Sequence, residues 1–177
     1  SQQERKRLWR EAIKWPLYSI AVMPIVLAAG WRIGNNEKVD HTQFIGFLLA
    51  SVLLLIWENL TNDLFDAETG VDEISKPHSV VALIGKKAPI KYIANSSLII
   101  GLLIVYLLAL GSTYKVLFLV AGSCSLGYLY QGPPFRLGYK GLGEPLCWIA
   151  FGPLATAAGI LVLSNNRLGE VNIPWKE

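Results

Sequence analysis

Five side chains that could bind a metal ion are crowded into one short stretch that follows an uncharged apolar run. They are two amides and three carboxylates: Asn59, Asn62, Asp63, Asp66 and Asp72. The first four are spaced i, i+3, i+4 and i+7, so in a helix they would project within about 100° of arc on one face. Gly70 then permits a turn that would bring Asp72 back towards Asp66. Packing alone does not explain this concentration of polar groups.

The chemistry expected of this acidic stretch is metal binding. Crowded carboxylates repel one another unless a cation or protons neutralise them. Mg²⁺ takes oxygen ligands and commonly sits on one or two carboxylates together with the phosphates of a substrate. The spacing therefore indicates a magnesium site that holds a phosphorylated substrate at a membrane surface. The alternative is a solvated acidic helix end with ordinary capping and turn residues. The EF-hand pattern is absent from the sequence, which disfavours calcium.

The composition is that of a membrane protein. Of the 177 residues, 53% are hydrophobic and 16% are charged, and the mean hydropathy is +0.41. Soluble domains carry about 25% charged residues. The net charge of +3 is too small to indicate a nucleic-acid partner. Cys124 and Cys147 lie in apolar runs without CxxC spacing, so they are expected to be small buried residues.

The apolar runs predict an all-α fold, a polytopic transmembrane helical bundle. About five spans are predicted, near residues 15–33, 43–66, 92–111, 116–131 and 144–164. Together they form one membrane domain over 15–164. Residues 1–14 are predicted to be a basic amphipathic arm on the membrane surface, or alternatively a simple topogenic arm. Residues 165–177 form a polar tail, and Pro153 predicts a kink in the fifth span.

The basic residues predict the orientation of the chain. The arm, the predicted polar loop over 66–91 and the loop over 131–143 contain 11 of the 16 Lys and Arg residues. These three segments lie on one side of the membrane in the five-span topology. By the positive-inside rule, this side and the acidic stretch face the cytoplasm or, in a plastid, the stroma.

The acidic stretch resembles the first aspartate-rich motif of the UbiA superfamily of membrane prenyltransferases. The residues that carry the resemblance are Asn62-Asp63-Leu64-Phe65-Asp66, then Asp72, and then Lys76-Pro77-His78, which is similar to the loop after that motif. The long interval before Asp72 and the following Ser79-Val80-Val81 are similar to the 1,4-dihydroxy-2-naphthoate prenyltransferases, above all to the cyanobacterial and plastid phytyl-transferring branch. The resemblance runs from about residue 15 to about residue 163.

The resemblance implies a Mg²⁺-dependent aromatic prenyltransferase. The implied reaction transfers a phytyl or other polyprenyl group from its diphosphate to 1,4-dihydroxy-2-naphthoate, with decarboxylation, in phylloquinone or menaquinone biosynthesis. The implied partners are an isoprenyl diphosphate, the naphthoate and membrane lipid. The implied location is a cyanobacterial thylakoid or plasma membrane, or a plastid membrane.

The resemblance also implies roles for individual residues. Catalytic roles fall to Asp66 and Asp72. The expected magnesium site consists of Asn62, Asp63, Asp66 and Asp72, in which Asp63 is either a further ligand or a partner of a ligand. Residues expected to bind the diphosphate are Lys76, Arg136 and Lys140. Residues expected to support the site are Asn59 and Tyr130.

The chain departs from the family pattern in its second half. The family fold has nine helices and a second aspartate-rich motif, whereas this sequence has about five predicted spans and no second acidic cluster after Glu73. We therefore interpret it as the first half of such an enzyme, with truncation favoured over a paired second chain or a degenerate homologue. The alternative functions are prenylation of another acceptor, such as homogentisate or chlorophyllide, and a non-catalytic membrane scaffold or lipid-binding subunit.

Overall fold

Every secondary-structure element is a helix in the part of the chain described by this computed structural model, residues 2–70 and 79–164. The helices are α1 (Gln2–Ile13), α2 (Tyr18–Gly34), α3 (His41–Thr69), α4 (Val80–Ile84), α5 (Lys87–Gly111), α6 (Lys115–Gln131), α7 (Gly143–Ile149) and α8 (Ala155–Val162). Short 3-10 turns occupy Trp15–Leu17 and Leu137–Lys140. The predicted all-α class is confirmed.

Four helical stretches are long and apolar enough to cross a membrane. They are Gln2–Gly34, His41–Thr69, Lys87–Gly111 and Gly143–Val162. The predicted span over 116–131 corresponds to α6, which has 17 residues and is therefore only about 25 Å long. In the described residues, the five predicted spans thus correspond to four stretches of this kind and one shorter helix.

The ends of α3 are set by local chemistry. Asp40 caps its beginning, because the carboxylate accepts hydrogen bonds from the backbone amides of Thr42 at 2.7 Å and Gln43 at 3.0 Å. Gly70 follows its end with φ +74°, the left-handed conformation that commonly ends a helix. The acidic stretch up to Asp66 therefore belongs to the final turns of one long helix, as its spacing predicts.

The described parts of the segment over 66–91, residues 66–70 and 79–91, are largely helical, whereas the sequence predicted a single polar loop. In the described residues, α3 continues to Thr69, α4 begins at Val80, and α5 begins at Lys87. The hydroxyl of Ser79 caps α4 by accepting a hydrogen bond from the Ala82 amide at 3.2 Å. The prediction was wrong here because an uncharged run marks only the apolar part of a helix, and the helix itself can extend into polar surroundings.

The fifth predicted span is interrupted where the sequence suggests. A π-helical turn at Ala150–Leu154 contains Pro153 and separates α7 from α8. Proline lacks a backbone N–H and cannot continue the regular ladder of helical hydrogen bonds, so the backbone widens locally. The predicted kink therefore corresponds to a real irregularity in the helix.

The helices pack through small residues, as is common in membrane bundles. Long stretches of α3 and α5 lie side by side, and a β-carbon on Gly101 would stand 3.1 Å from Leu54. Likewise, a β-carbon on Gly159 would stand 2.9 Å from that of Ala28, so α8 and α2 are in close contact. Many large apolar side chains point outward; Phe118, for example, is 71% exposed, as expected of a surface that faces lipid.

Candidate active site

Asp66 is the residue on which distant parts of the chain converge. It is fully buried near the end of α3. Gln131, the last residue of α6, donates a hydrogen bond from Nε2 to Asp66 Oδ1, and the hydroxyl of Tyr139 donates to the same oxygen. The Tyr139 hydroxyl also lies 3.4 Å from the hydroxyl of Thr69. The carboxylate is thus fixed by two donors from outside its own helix.

Asp63 occupies a different environment on the same helix. It is 1% exposed, and its Oδ1 lies 3.3 Å from the ammonium of Lys14, while its Oδ2 accepts a hydrogen bond from the Val80 amide at 2.9 Å. The Lys14 ammonium also donates to Asn59 Oδ1 at 2.7 Å. Asn59 and Asp63 therefore connect the basic arm, α3 and the start of α4, and both Asp63 oxygens contact protein groups.

The structure places the remaining predicted residues as follows. Asn62 is half-buried, one turn before Asp66. Arg136 lies with Nη2 3.8 Å from a carboxylate oxygen of Glu68, and Lys140 is exposed. Tyr130 packs against the start of α7, since a β-carbon on Gly143 would come within 2.6 Å of its ring. Asp72 and Lys76 lie outside the described residues, as does the predicted tail over 165–177.

Basic side chains surround the end of α3. Lys14 contacts Asp63, Lys87 lies with Nζ 3.4 Å from the carbonyl of Ala67, and Arg136 pairs with Glu68. These residues come from the three segments predicted to share one side of the membrane, and the structure brings all three segments to the same end of the bundle. An anion that approaches Asp66 would therefore meet positive charge from several directions.

The oxygen atoms at and beside Asp66 are suited to bind a magnesium ion that is shared with a substrate. Within residues 2–70 and 79–164, no group of three or more His, Cys, Asp or Glu side chains could hold a metal ion by itself. The candidate oxygen ligands are the Asn62 amide and the Asp66 carboxylate, whose Oδ1 also accepts hydrogen bonds from Gln131 and Tyr139. Mg²⁺ is commonly held by one or two carboxylates, with substrate phosphates and water as its other ligands. The described residues therefore fit such a shared site, and an all-protein cage does not form among them.

Sequence reasoning missed three side chains that contact the acidic face in the described residues: Lys14, Gln131 and Tyr139. Lys14 is one of five basic residues in the arm, and its spacing does not distinguish it from the others. Gln131 is an uncharged residue at the end of an apolar run. The one feature of the sequence that indicates a role for Gln131 is its position at the end of a span, where a polar residue often faces the protein interior.

A helical bundle with four stretches apolar enough to cross a membrane, and with a buried carboxylate flanked by basic residues at one end, defines an integral membrane protein with a polar site at that end. The chain belongs to the UbiA prenyltransferase family, whose profile matches residues 21–174. The predicted membership of the UbiA family is thereby confirmed.

Two curated relatives are similar over most of the chain. A protein of Synechocystis sp. named 2-carboxy-1,4-naphthoquinone phytyltransferase is 44% identical over 154 residues, which cover 86% of this chain and 50% of the relative. A protein of Arabidopsis thaliana named 2-carboxy-1,4-naphthoquinone phytyltransferase, chloroplastic, is 40% identical over 162 residues, which cover 91% of this chain and 42% of the relative. The chain thus spans about half the length of the curated relatives it matches. No solved structure matches it.

Proposed function

We propose that this chain provides the diphosphate-binding site of an enzyme that transfers a phytyl or other polyprenyl group to 1,4-dihydroxy-2-naphthoate. The observation that carries the proposal is the buried Asp66 carboxylate, fixed by Gln131 and Tyr139, beside Asn62 and among basic side chains. The names of the two relatives support a naphthoquinone-type acceptor and a phytyl donor. The product would enter phylloquinone or menaquinone biosynthesis.

The residues of the chain would act on the diphosphate. Asn62 and Asp66, together with Asp72 outside the described residues, would hold Mg²⁺. When bound, this ion neutralises charge on the departing diphosphate. Arg136, Lys140 and Lys76 would donate charge-assisted hydrogen bonds to the same group.

The bundle would protect the reactive end of the isoprenyl group. Loss of diphosphate leaves an allylic cation, which water would hydrolyse, and the apolar helices exclude water from it. The electron-rich ring of the acceptor forms a bond to the isoprenyl carbon, and the carboxyl group of the acceptor leaves as CO₂. The site would lie on the cytoplasmic or stromal side, because the basic segments gather at that end of the bundle.

A transfer assay tests this function. Membranes from cells that express the gene for this chain are incubated with Mg²⁺, phytyl diphosphate and a panel of acceptors, and the products are identified by mass spectrometry. We expect a prenylated, decarboxylated naphthoquinol from dihydroxynaphthoate. A product only from homogentisate or chlorophyllide would redirect the acceptor assignment. If intact protein gave no product with any acceptor, a scaffold or lipid-binding role would replace the enzymatic one.

The Tyr139 hydroxyl is expected to be required for full activity. Tyr139→Phe removes one of the hydrogen-bond donors to Asp66 and should lower kcat/KM by about 10-fold, the lower end of the effect of losing a group that orients a metal ligand. Initial rates at varied Mg²⁺ concentration measure it. Tyr106→Phe is the control, because Tyr106 is half-exposed on the lipid-facing side of α5. Equal rates for the two variants would contradict the role of Tyr139.

A further inference from the structure

An open groove lies where the basic arm meets the start of α2. The chain turns there at Lys14, whose φ of +51° separates α1 from the 3-10 turn that precedes α2. The arm is held against the bundle, because α1 contacts α4 and Ala12 is only 1% exposed. The groove has a volume of about 660 Å³, in the range of sites that hold small ligands. Since it is open at the surface, a longer molecule can extend out of it.

The two walls of this groove differ in chemistry. The wall formed by the arm carries charged side chains, whereas the wall formed by the 3-10 turn and the start of α2 is apolar. The charged wall consists of Arg10, Glu11 and Lys14, and the apolar wall consists of Pro16, Leu17 and Ile20. The groove therefore matches an amphiphile whose charged end lies on the arm and whose apolar end lies along α2.

Arg10 supplies the positive charge that a ligand in this groove would meet. It is exposed and forms no ion pair among the residues that the structure describes. The other charges of the groove are already engaged, because the Lys14 ammonium contacts α3 and the Glu11 carboxylate lies 3.3 Å from Arg7. Lys6 is exposed one helical turn before Arg10, on the same face of α1. The charged wall thus suits a headgroup with a single negative charge.

Aromatic side chains beside the groove indicate its depth in the bilayer. Trp15 follows Lys14 directly and is 69% exposed, and its ring centroid lies 6.2 Å from that of Tyr18 at the start of α2. Tryptophan and tyrosine are enriched at the level of the lipid headgroups. The charged wall would therefore lie among headgroups, and the apolar wall would face the acyl chains.

We propose that this groove binds one anionic phospholipid, with the phosphodiester on Arg10 and Lys6 and an acyl chain along Leu17 and Ile20. A zwitterionic phospholipid suits it less, because the positive group of its headgroup would meet the basic arm. An isoprenyl diphosphate is also an anionic amphiphile, but it carries several negative charges, and the Glu11 carboxylate would oppose them. The site does not depend on prenyl transfer and would exist even if the chain were a scaffold.

Native mass spectrometry of the purified protein in detergent tests the site. The protein is equilibrated with equal amounts of phosphatidylglycerol and phosphatidylcholine that have the same acyl chains, and the lipids that it retains are counted. One basic residue near an anionic headgroup contributes about fivefold, so Arg10 and Lys6 together should give a preference for phosphatidylglycerol of about 20-fold. Arg10→Gln should lower this preference by about fivefold. A wild type that showed no preference would overturn the proposal.

Arg5→Gln is the matched control, because it makes the same change of charge on the same helix. Arg5 is exposed, but it lies five residues before Arg10 and therefore about 140° away around α1, and it does not line the groove. Its substitution should leave the preference for phosphatidylglycerol within about twofold of the wild type. Equal losses for Arg5→Gln and Arg10→Gln would show that the arm attracts anionic lipid diffusely, and the groove would then not be a lipid site.

Two competitors identify the class of ligand in the same measurement. Glycerol phosphate has the charged group without acyl chains, and phytyl diphosphate has an apolar chain with a more highly charged head. We expect neither of them, added in excess, to displace the retained phosphatidylglycerol. Displacement by glycerol phosphate would overturn the proposal in favour of a simple phosphate site. Displacement by phytyl diphosphate would overturn it in favour of a site for the isoprenyl donor.

Discussion

Asp66→Asn is expected to lower the rate of prenyl transfer by about 10³-fold, equivalent to about 4 kcal/mol of transition-state stabilisation. The substitution preserves the shape of the side chain and an oxygen that can accept from Gln131, so the local fold should persist. It removes the negative charge that would hold Mg²⁺ against the diphosphate. Initial rates at saturating isoprenyl diphosphate, over a range of Mg²⁺ concentrations, provide the measurement.

The control for Asp66→Asn is Glu68→Gln, which removes a carboxylate from the same end of α3. Glu68 is exposed and its contact with Arg136 is 3.8 Å long, so its loss should change the rate by no more than about twofold. Asp72→Asn should resemble Asp66→Asn if both residues hold the metal. Full magnesium-dependent transfer by the Asp66 and Asp72 variants would show that the site has been assigned wrongly.

The polar face of α3 could be predicted because the period of a helix fixes which side chains share a face. Asn59, Asp63 and Asp66 are indeed buried on one side of a continuous helix, with Asn62 half-buried beside them. The class of fold could be predicted as well, because apolar runs of this length have few alternatives in a bilayer. Gly70, in the left-handed conformation, ends the helix where the sequence suggested a turn.

The partners of that face could not be predicted, because they depend on how distant segments pack. Tyr139 reaches Asp66 from 73 positions away, and Lys14 reaches Asp63 from 49 positions away. Neither residue has a spacing that relates it to α3. Glu58 illustrates the same limit: its position outside the polar face followed from the helical period, but its contact with Gly127 of α6 depends on how the two helices pack.

The contacts of Asp63 assign it a structural role, and Asp63→Ala should accordingly lower the free energy of unfolding by about 3 kcal/mol. The substitution leaves the Lys14 ammonium and the Val80 amide without their carboxylate partner. The Lys14 side chain is 27% exposed while that of Asp63 is 1% exposed, so water offsets part of the cost and the loss falls at the lower end for buried pairs. Unfolding in detergent, followed by circular dichroism as a denaturing detergent is added, measures it.

A double-mutant cycle isolates the contact between Lys14 and Asp63. Lys14→Met keeps the length of the side chain and removes its charge, and we expect it to cost about 2 kcal/mol. Because both substitutions break the contact between Lys14 and Asp63, the double variant should lose less stability than the sum of the two single losses. It should still be less stable than Asp63→Ala alone, since Lys14→Met also removes the hydrogen bond to Asn59. Strict additivity of the two losses would show that the contact contributes nothing to stability.

The magnesium dependence of the same variants distinguishes a residue that positions the site from one that binds the metal. If Asp63 fixes the arm and α4 against α3, Asp63→Ala and Lys14→Met should lower the maximal rate to similar extents and leave the half-saturating Mg²⁺ concentration within about twofold of the wild type. A metal ligand behaves differently, because its loss raises that concentration, as expected for Asp66→Asn. If Asp63→Ala raised it while Lys14→Met did not, Asp63 would be a ligand, and its contacts with Lys14 and Val80 would have to be exchanged for the metal on binding.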